Sequence, residues 1–178
     1  MVDIRKYNKI QIIGGAGSGK SWLAMRIAEI TGYPRFHLDT EFHTSNWVMK
    51  TNEEQDARLS QIMSSENWVI EGNYKRTLER RAVAAGLIIF LDRNPLACML
   101  SVMRRFKAKR PEIPEVYDET RIFSKDFIHI CTSIWANRKA LPKIVAEVRK
   151  KYPGVGILRV VSRREVNRLV GYWEGNAT

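Results

Sequence analysis

Short apolar runs alternate along the chain with segments whose apolar residues recur every three or four positions. The runs at 9–13, 34–38, 68–70, 87–91 and 156–161 have the length and the Ile, Val and Phe content of strands. The run at 87–91 has no polar alternation and predicts a strand covered on both faces. Leu23, Ala24, Ile27 and Ala28 give helical spacing over 21–30, stopped at Thr31-Gly32. Thr51 and Glu54 have capping-box spacing and open a helix to about 65, with Ala57, Leu59, Ile62 and Met63 as its stripe. A short helix over 76–85 stops at Gly86. Asn94-Pro95 caps a helix with Leu96, Met99, Leu100 and Met103 on one face. Phe123, Phe127, Ile130 and Ile134 predict one long helix. Leu141, Ile144, Val145 and Val148 predict a second, with Asn137-Arg138 between them and Pro153-Gly154 after. Ser162 and Glu165 form another capping box for a last helix to about 170. Strands alternating with helices imply an α/β fold: a parallel sheet between two helical layers, joined by right-handed crossovers.

Between the first strand and the first helix stands Gly14-Gly15-Ala16-Gly17-Ser18-Gly19-Lys20-Ser21, which fits G-x-x-x-x-G-K-[ST] at every fixed position. Glycine backbones here turn their N–H groups inward as an anion nest, which Cβ atoms would obstruct. Lys20 is placed for the β- and γ-phosphates of a nucleotide, and the Ser21 hydroxyl for Mg²⁺. The nucleotide contacts are assigned to Gly15, Ala16, Gly17, Ser18, Gly19, Lys20 and Ser21.

The 178 residues suffice for one domain with a two-sided core. The longest small or apolar run, 82–91, is well short of the roughly 20 residues that span a bilayer, so a soluble intracellular protein is expected. Cys98 and Cys131 show no CxxC pattern and His37, His43 and His129 no metal-ligand spacing. Buried thiols are therefore expected. A formal net charge of +11 admits a nucleic-acid partner or a site that handles several phosphates. The basic residues gather at 75–81, 104–110, 149–151 and 159–168. A charged segment over 107–118 with Pro111 and Pro114 predicts a loop or lid, taken as about 105–118.

With the phosphate loop near the N-terminus, the strand ending His37-Leu38-Asp39, then Trp68-Val69-Ile70-Glu71-Gly72-Asn73-Tyr74 and Ile88-Ile89-Phe90-Leu91-Asp92, the chain resembles the adenylate-kinase-like P-loop family of the DNA topology modulation proteins, of the FlaR type. The similarity runs from about residue 10 to 170. It implies the nucleoside-monophosphate-kinase fold, with five parallel strands in the order 2-3-1-4-5, and ATP binding. Members carry Asp where this chain has Glu71, and hydrophobic residues where it has Thr40-Glu41-Phe42-His43, which leaves the acceptor open.

Phosphoryl transfer needs positioning and charge cancellation on three equatorial oxygens. Lys20, Arg104, Arg110 and Arg138 supply cations for that task, and Arg105 stands where kinases of this fold place an arginine beside the nucleotide. Asp39 is the candidate to hold an acceptor hydroxyl. Ser21 with either Glu71 or Asp92 would order Mg²⁺; both acids end strands expected beside the loop strand, and spacing does not separate them. The reading is an ATP- and Mg²⁺-dependent kinase for a small acceptor, most simply a nucleotide or nucleoside. The alternative is a nucleic-acid-associated ATPase or polynucleotide kinase, and a third is a nucleotide-binding regulator without turnover. No helix-turn-helix, zinc finger or RNA-binding signature supports the alternative.

Overall fold

The computed structural model describes residues 2–46, 48–106 and 125–175. Its strands β1 Lys9–Gly14, β2 Arg35–His37, β3 Trp68–Glu71, β4 Leu87–Leu91 and β5 Gly156–Val160 form one parallel sheet in the order β2-β3-β1-β4-β5. The helices are α1 Lys20–Thr31, α2 Leu38–Glu41, α3 Asn52–Ser64, α4 Lys75–Ala84, α5 Pro95–Phe106, α6 Lys125–Lys151 and α7 Arg163–Gly175. The expected α/β fold and strand order are both present.

Alternate residues of the central strands feed two cores. Ile10 and Ile12 of β1 pack with Leu23, Ala24 and Ile27 of α1 and with Val166, Leu169 and Trp173 of α7. On the other face Ile13, Ile70, Ile88 and Phe90 pack with α3, α4 and α6. β4 is buried along its whole length and lacks a polar face, which is why 87–91 reads as an unbroken apolar run. The parallel arrangement gathers the strands' C-terminal ends on one edge, where the loop after β1 lies.

Several expectations change. The two helices expected on either side of Asn137-Arg138 are one helix of 27 residues, with Pro142 inside it. Phe127, Ile134, Leu141 and Val148 are all buried and recur every seven residues across the supposed break, so one continuous stripe holds the helix against the fold. That packing outweighs the hydrogen bond that Pro142 cannot donate. The last helix runs beyond 170 to Gly175, because Trp173 is fully buried and its indole N–H donates to the Val2 carbonyl at 2.7 Å. Residue 38 leaves the second strand to begin α2.

In α5 the face turned inward is not the one that carries the large side chains. Cys98 and Val102 are buried, whereas Leu96, Leu100 and Met103 are exposed. The inward face must fit close to the loop after β1: a Cβ on Gly17 would lie 2.3 Å from the Cys98 carbonyl oxygen and 2.9 Å from Val102 Cγ2. Neither Cys98, which is buried, nor Cys131, which is partly so, is in a disulfide.

These placements fix the signs of two core substitutions. Leu141→Ala should lower stability by about 2 to 5 kcal/mol, and Leu100→Ala should stay within about 0.5 kcal/mol of wild type. Urea denaturation of both variants checks this, and equal losses would contradict the assigned faces of α5 and α6.

Candidate functional site

The loop between β1 and α1 is held from both sides. Asn73, in the turn after β3, donates from its amide to the Gly14 carbonyl at 2.9 Å and accepts from the Gly14 N–H at 3.1 Å. Arg93, just after β4, donates from Nη1 to the carbonyls of Gly17 and Ser18, each at 3.3 Å. Gly17 has φ +72° and presses against α5, so a side chain there meets both backbone strain and steric overlap. Gly19 precedes α1 in the left-handed conformation and points the helix N-terminus at the loop. The Lys20 ammonium donates to the Gly15 carbonyl at 3.1 Å.

Beside the loop, Glu71 ends β3 with a fully buried side chain. His37, in register with it on β2, brings Nδ1 to 3.3 Å from the Glu71 carboxylate and Nε2 to 3.4 Å from Asp39. The first separation is that of an ion pair, but its angles leave His37 Nδ1 and both Glu71 oxygens without a well-formed hydrogen bond. Burial drives the Glu71 pKa up, and the contact and charge of His37, the Ser21 hydroxyl and the Lys20 ammonium more than reverse this, so it lies below the usual 4.5. Burial drives His37 down, and the carboxylates of Glu71 and Asp39 more than reverse that, so it lies above 6.5. Arg35 adds a guanidinium 3.7 Å from Glu71.

The turn carrying Asn73 has its own support. Arg81 of α4 is fully buried and donates to the carbonyls of Gly72, Asn73 and Tyr74 at 3.1, 2.9 and 3.2 Å and to the Thr77 hydroxyl at 3.3 Å. Burial without a carboxylate in this set pushes its pKa down to about 9.

The sequence-predicted residues thus divide. Of the loop residues Gly15 to Ser21, Lys20 and Ser21 reach Glu71, and His37 ties Glu71 to Asp39 on α2. Asp92, the other candidate acid, is engaged elsewhere: its nearly buried carboxylate accepts from Arg138 at 2.5 Å and from Arg159 Nε at 2.8 Å. Each of its oxygens therefore already accepts from a guanidinium. Arg138 does come to the rim of the loop, where Gly15, Asp92 and Arg138 line one small cleft. Arg104 is exposed at the far end of α5 and forms no ion pair among the described residues. Arg110, most of the expected lid and the side chain of Arg105 lie outside the described residues. Asn73, Arg81, Arg93 and Arg159 were missed, since their roles depend on contacts between chain-distant turns and no motif marks them.

No cluster of three or more His, Cys, Asp or Glu side chains that could hold a metal occurs among the described residues. Mg²⁺ needs no such cluster, since it keeps waters and phosphate oxygens in its shell. The Ser21 hydroxyl with the orphaned buried carboxylate of Glu71 is the donor set that fits it. No described helix is long and apolar enough to cross a membrane.

A phosphate loop joining the central strand of a 2-3-1-4-5 parallel sheet to its first helix defines a P-loop protein with the kinase fold. The chain belongs to the AAA domain family, whose profile matches residues 9–141. Three similar solved structures have the same fold. A gluconokinase from Sinorhizobium meliloti 1021 is 16% identical with a TM-score of 0.54, over 96% of this chain and 91% of that one. A shikimate kinase from Acinetobacter baumannii, in complex with shikimate, is 13% identical with a TM-score of 0.57, over 95% and 92%. A shikimate kinase from Bacteroides thetaiotaomicron is 16% identical with a TM-score of 0.53, over 95% and 97%. No curated protein matches the chain.

The His37–Glu71 pair makes stability depend on pH in two directions. Glu71, lowered on folding, contributes fully above 4.5 and loses its contribution as pH falls through the depressed value. His37, raised on folding, contributes fully below 6.5 and loses its contribution as pH rises through the raised value. The pair should therefore stabilise most between those values. Urea midpoints against pH should decline above this window in wild type and decline less in His37→Gln; parallel curves would show the pair to be energetically silent.

Proposed function

We propose that the protein is an ATP- and Mg²⁺-dependent phosphotransferase that moves the γ-phosphoryl group to a hydroxyl of a small acceptor. The observation that carries this reading is Glu71: a fully buried, ionised carboxylate, without a well-formed hydrogen bond, set beside Ser21 and Lys20 of a phosphate loop. A purely structural acid so buried would be expected to have its oxygens satisfied. Ser21 and Glu71 would hold Mg²⁺, which supplies charge neutralisation on the β- and γ-phosphates. The N–H groups of the loop from Gly15 to Gly19, other than that of Ser18, which donates to the Gly15 carbonyl at 3.1 Å, and the Lys20 ammonium bind the phosphates and act where charge develops in transfer. Asp39, half-exposed and oriented by His37, accepts the hydrogen bond of the acceptor hydroxyl and takes its proton as the new P–O bond forms and the bond from the γ-phosphorus to the bridging oxygen breaks, releasing ADP.

The names of the similar folds, gluconokinase and shikimate kinase, support a small-molecule acceptor, while the resemblance to the adenylate-kinase-like DNA topology modulation proteins supports a nucleotide or nucleoside. The exposed arginines 163, 164 and 168 of α7 take no part in the site and keep a polynucleotide acceptor as the second reading. Nucleotides, nucleosides, sugars, small hydroxy acids and 5′-hydroxyl oligonucleotides, each offered with ATP and Mg²⁺ and read by ADP release above an acceptor-free blank, separate these classes. A blank that no acceptor raises would count against the kinase.

Two substitutions test the roles. Lys20→Ala should weaken Mg·ATP binding by about 1.5 to 3 kcal/mol, the range of a hydrogen bond to a charged group, measured by calorimetry. Equal affinity in mutant and wild type would overturn the assignment of the loop. Asp39→Asn should lower kcat and leave the KM for ATP nearly unchanged; weakened ATP binding with normal kcat would move Asp39 to the metal.

A further inference from the structure

At the rim of the phosphate loop one buried carboxylate holds two cations. Asp92 ends β4, and its side chain is 3% exposed. Its Oδ1 accepts from Arg138, which arrives from the middle of α6. Its Oδ2 accepts from Nε and Nη2 of Arg159, which arrives from β5 in register with Phe90. Gly15, Asn137 and Arg138 border the cleft above Asp92, with Arg93 and Cys98. The two guanidinium-bearing side chains remain 45% and 61% exposed.

Neutralising one buried carboxylate takes one guanidinium, so the second is in excess and the trio carries a net charge of +1. Each guanidinium has five N–H donors. Among the described residues Arg138 uses one of them and Arg159 two, all on Asp92. Arginine side chains free in solvent lose rotamer entropy when they close on a ligand. Here folding has already set both, because each is hydrogen-bonded to an acid that cannot move. Planar forks held this way suit the oxygens of a phosphate or carboxylate.

We propose that Arg138 and Arg159 form a receptor for an anionic group, phosphate or carboxylate, of a ligand lying against the loop rim beside Gly15, and that Asp92 is the residue that positions them rather than a metal ligand. This rests on the reading of the loop as an ATP site for its surroundings. The group is either the γ-phosphate of ATP or an anionic substituent on a second ligand.

The test is calorimetry on the full chain. Wild type, Arg138→Gln, Arg159→Gln, Arg159→Lys and Asp92→Asn are titrated with Mg·ATP, with Mg·ADP, and, after saturation with a non-hydrolysable Mg·ATP analogue, with inorganic phosphate. Both Arg→Gln variants should weaken one of these affinities by about tenfold or more, as for a lost hydrogen bond to a charged group. Loss on ATP with ADP unchanged identifies the γ-phosphate; loss only of phosphate binding to the saturated protein identifies a second anionic ligand. Arg159→Lys should not restore binding, since it keeps the charge and loses the fork.

Asp92→Asn decides the role of the acid by sign. Removing a negative charge would tighten anion binding if Asp92 only screened the arginines, whereas loss of positioning weakens it. The Mg²⁺ dependence of ATP affinity should survive Asp92→Asn and be lost in Glu71→Gln. Arg159→Gln alters an exposed side chain and keeps the test sound if Asp92→Asn misfolds. All affinities within twofold of wild type in both Arg→Gln variants, or tighter binding in Asp92→Asn, would overturn the proposal. A wild type that bound no nucleotide would instead overturn the ATP reading, and the receptor would then be judged on phosphate binding to the unliganded chain, which Arg159→Gln must weaken.

Discussion

A loop that turns its N–H groups inward to receive an anion must turn carbonyls outward, and in a packed interior those carbonyls need donors. This constraint organises the molecule. Asn73 satisfies both backbone groups of Gly14 from the β3 side, and Arg93 satisfies Gly17 and Ser18 from the β4 side. The strands flanking β1 in the sheet thus each contribute, through the turn that follows them, one clamp on the same loop. The parallel 2-3-1-4-5 order makes this possible, since it puts β3 and β4 on either side of β1 with their C-terminal ends level with the loop. Arg81 extends the support one layer outward by holding the turn that carries Asn73.

The buried charges around this loop have three different environments, and the differences separate structure from chemistry. Arg81 is surrounded by carbonyl dipoles, which tolerate a cation but leave its pKa lowered by burial. Asp92 has a guanidinium on each oxygen. Glu71 has the His37 ring at 3.3 Å and carboxylate oxygens without a well-formed hydrogen bond. A buried acid that already accepts three guanidinium N–H bonds is less available to a metal or its waters than one left open beside a hydroxyl and an ammonium. The two acids, alike in position at the ends of neighbouring strands, are distinguished by their partners alone.

Much of this protein was legible from periodicity and motif. The five strands, their parallel arrangement, the loop and the helix behind it follow from local pattern, because a doubly covered strand is an uninterrupted apolar run and a phosphate nest cannot be built without glycine. The break expected at Asn137-Arg138 shows where local reading stops. Asn and Pro punctuate helices, but the seven-residue recurrence of Phe127, Ile134, Leu141 and Val148 buries one continuous stripe, and burial of four large side chains outweighs the local preferences against it. In α5 the reverse occurred: Leu96, Leu100 and Met103 of the conspicuous apolar stripe face solvent while Met99 packs partly inward, because the close approach of Gly17 to Cys98 leaves no room there for a larger side chain.

The sequence by itself determined the class of fold, the phosphate loop and the acids Glu71 and Asp92 at the ends of its neighbouring strands, since each depends on residues close together in the chain. Tertiary structure alone decided which partner each took. Arg159 reaches Asp92, Asn73 reaches Gly14 and Arg93 reaches Gly17 across 67, 59 and 76 positions of sequence. Contacts of that separation are set by strand order and register, and one carboxylate at the end of a strand looks the same as the next until the sheet has chosen its neighbours.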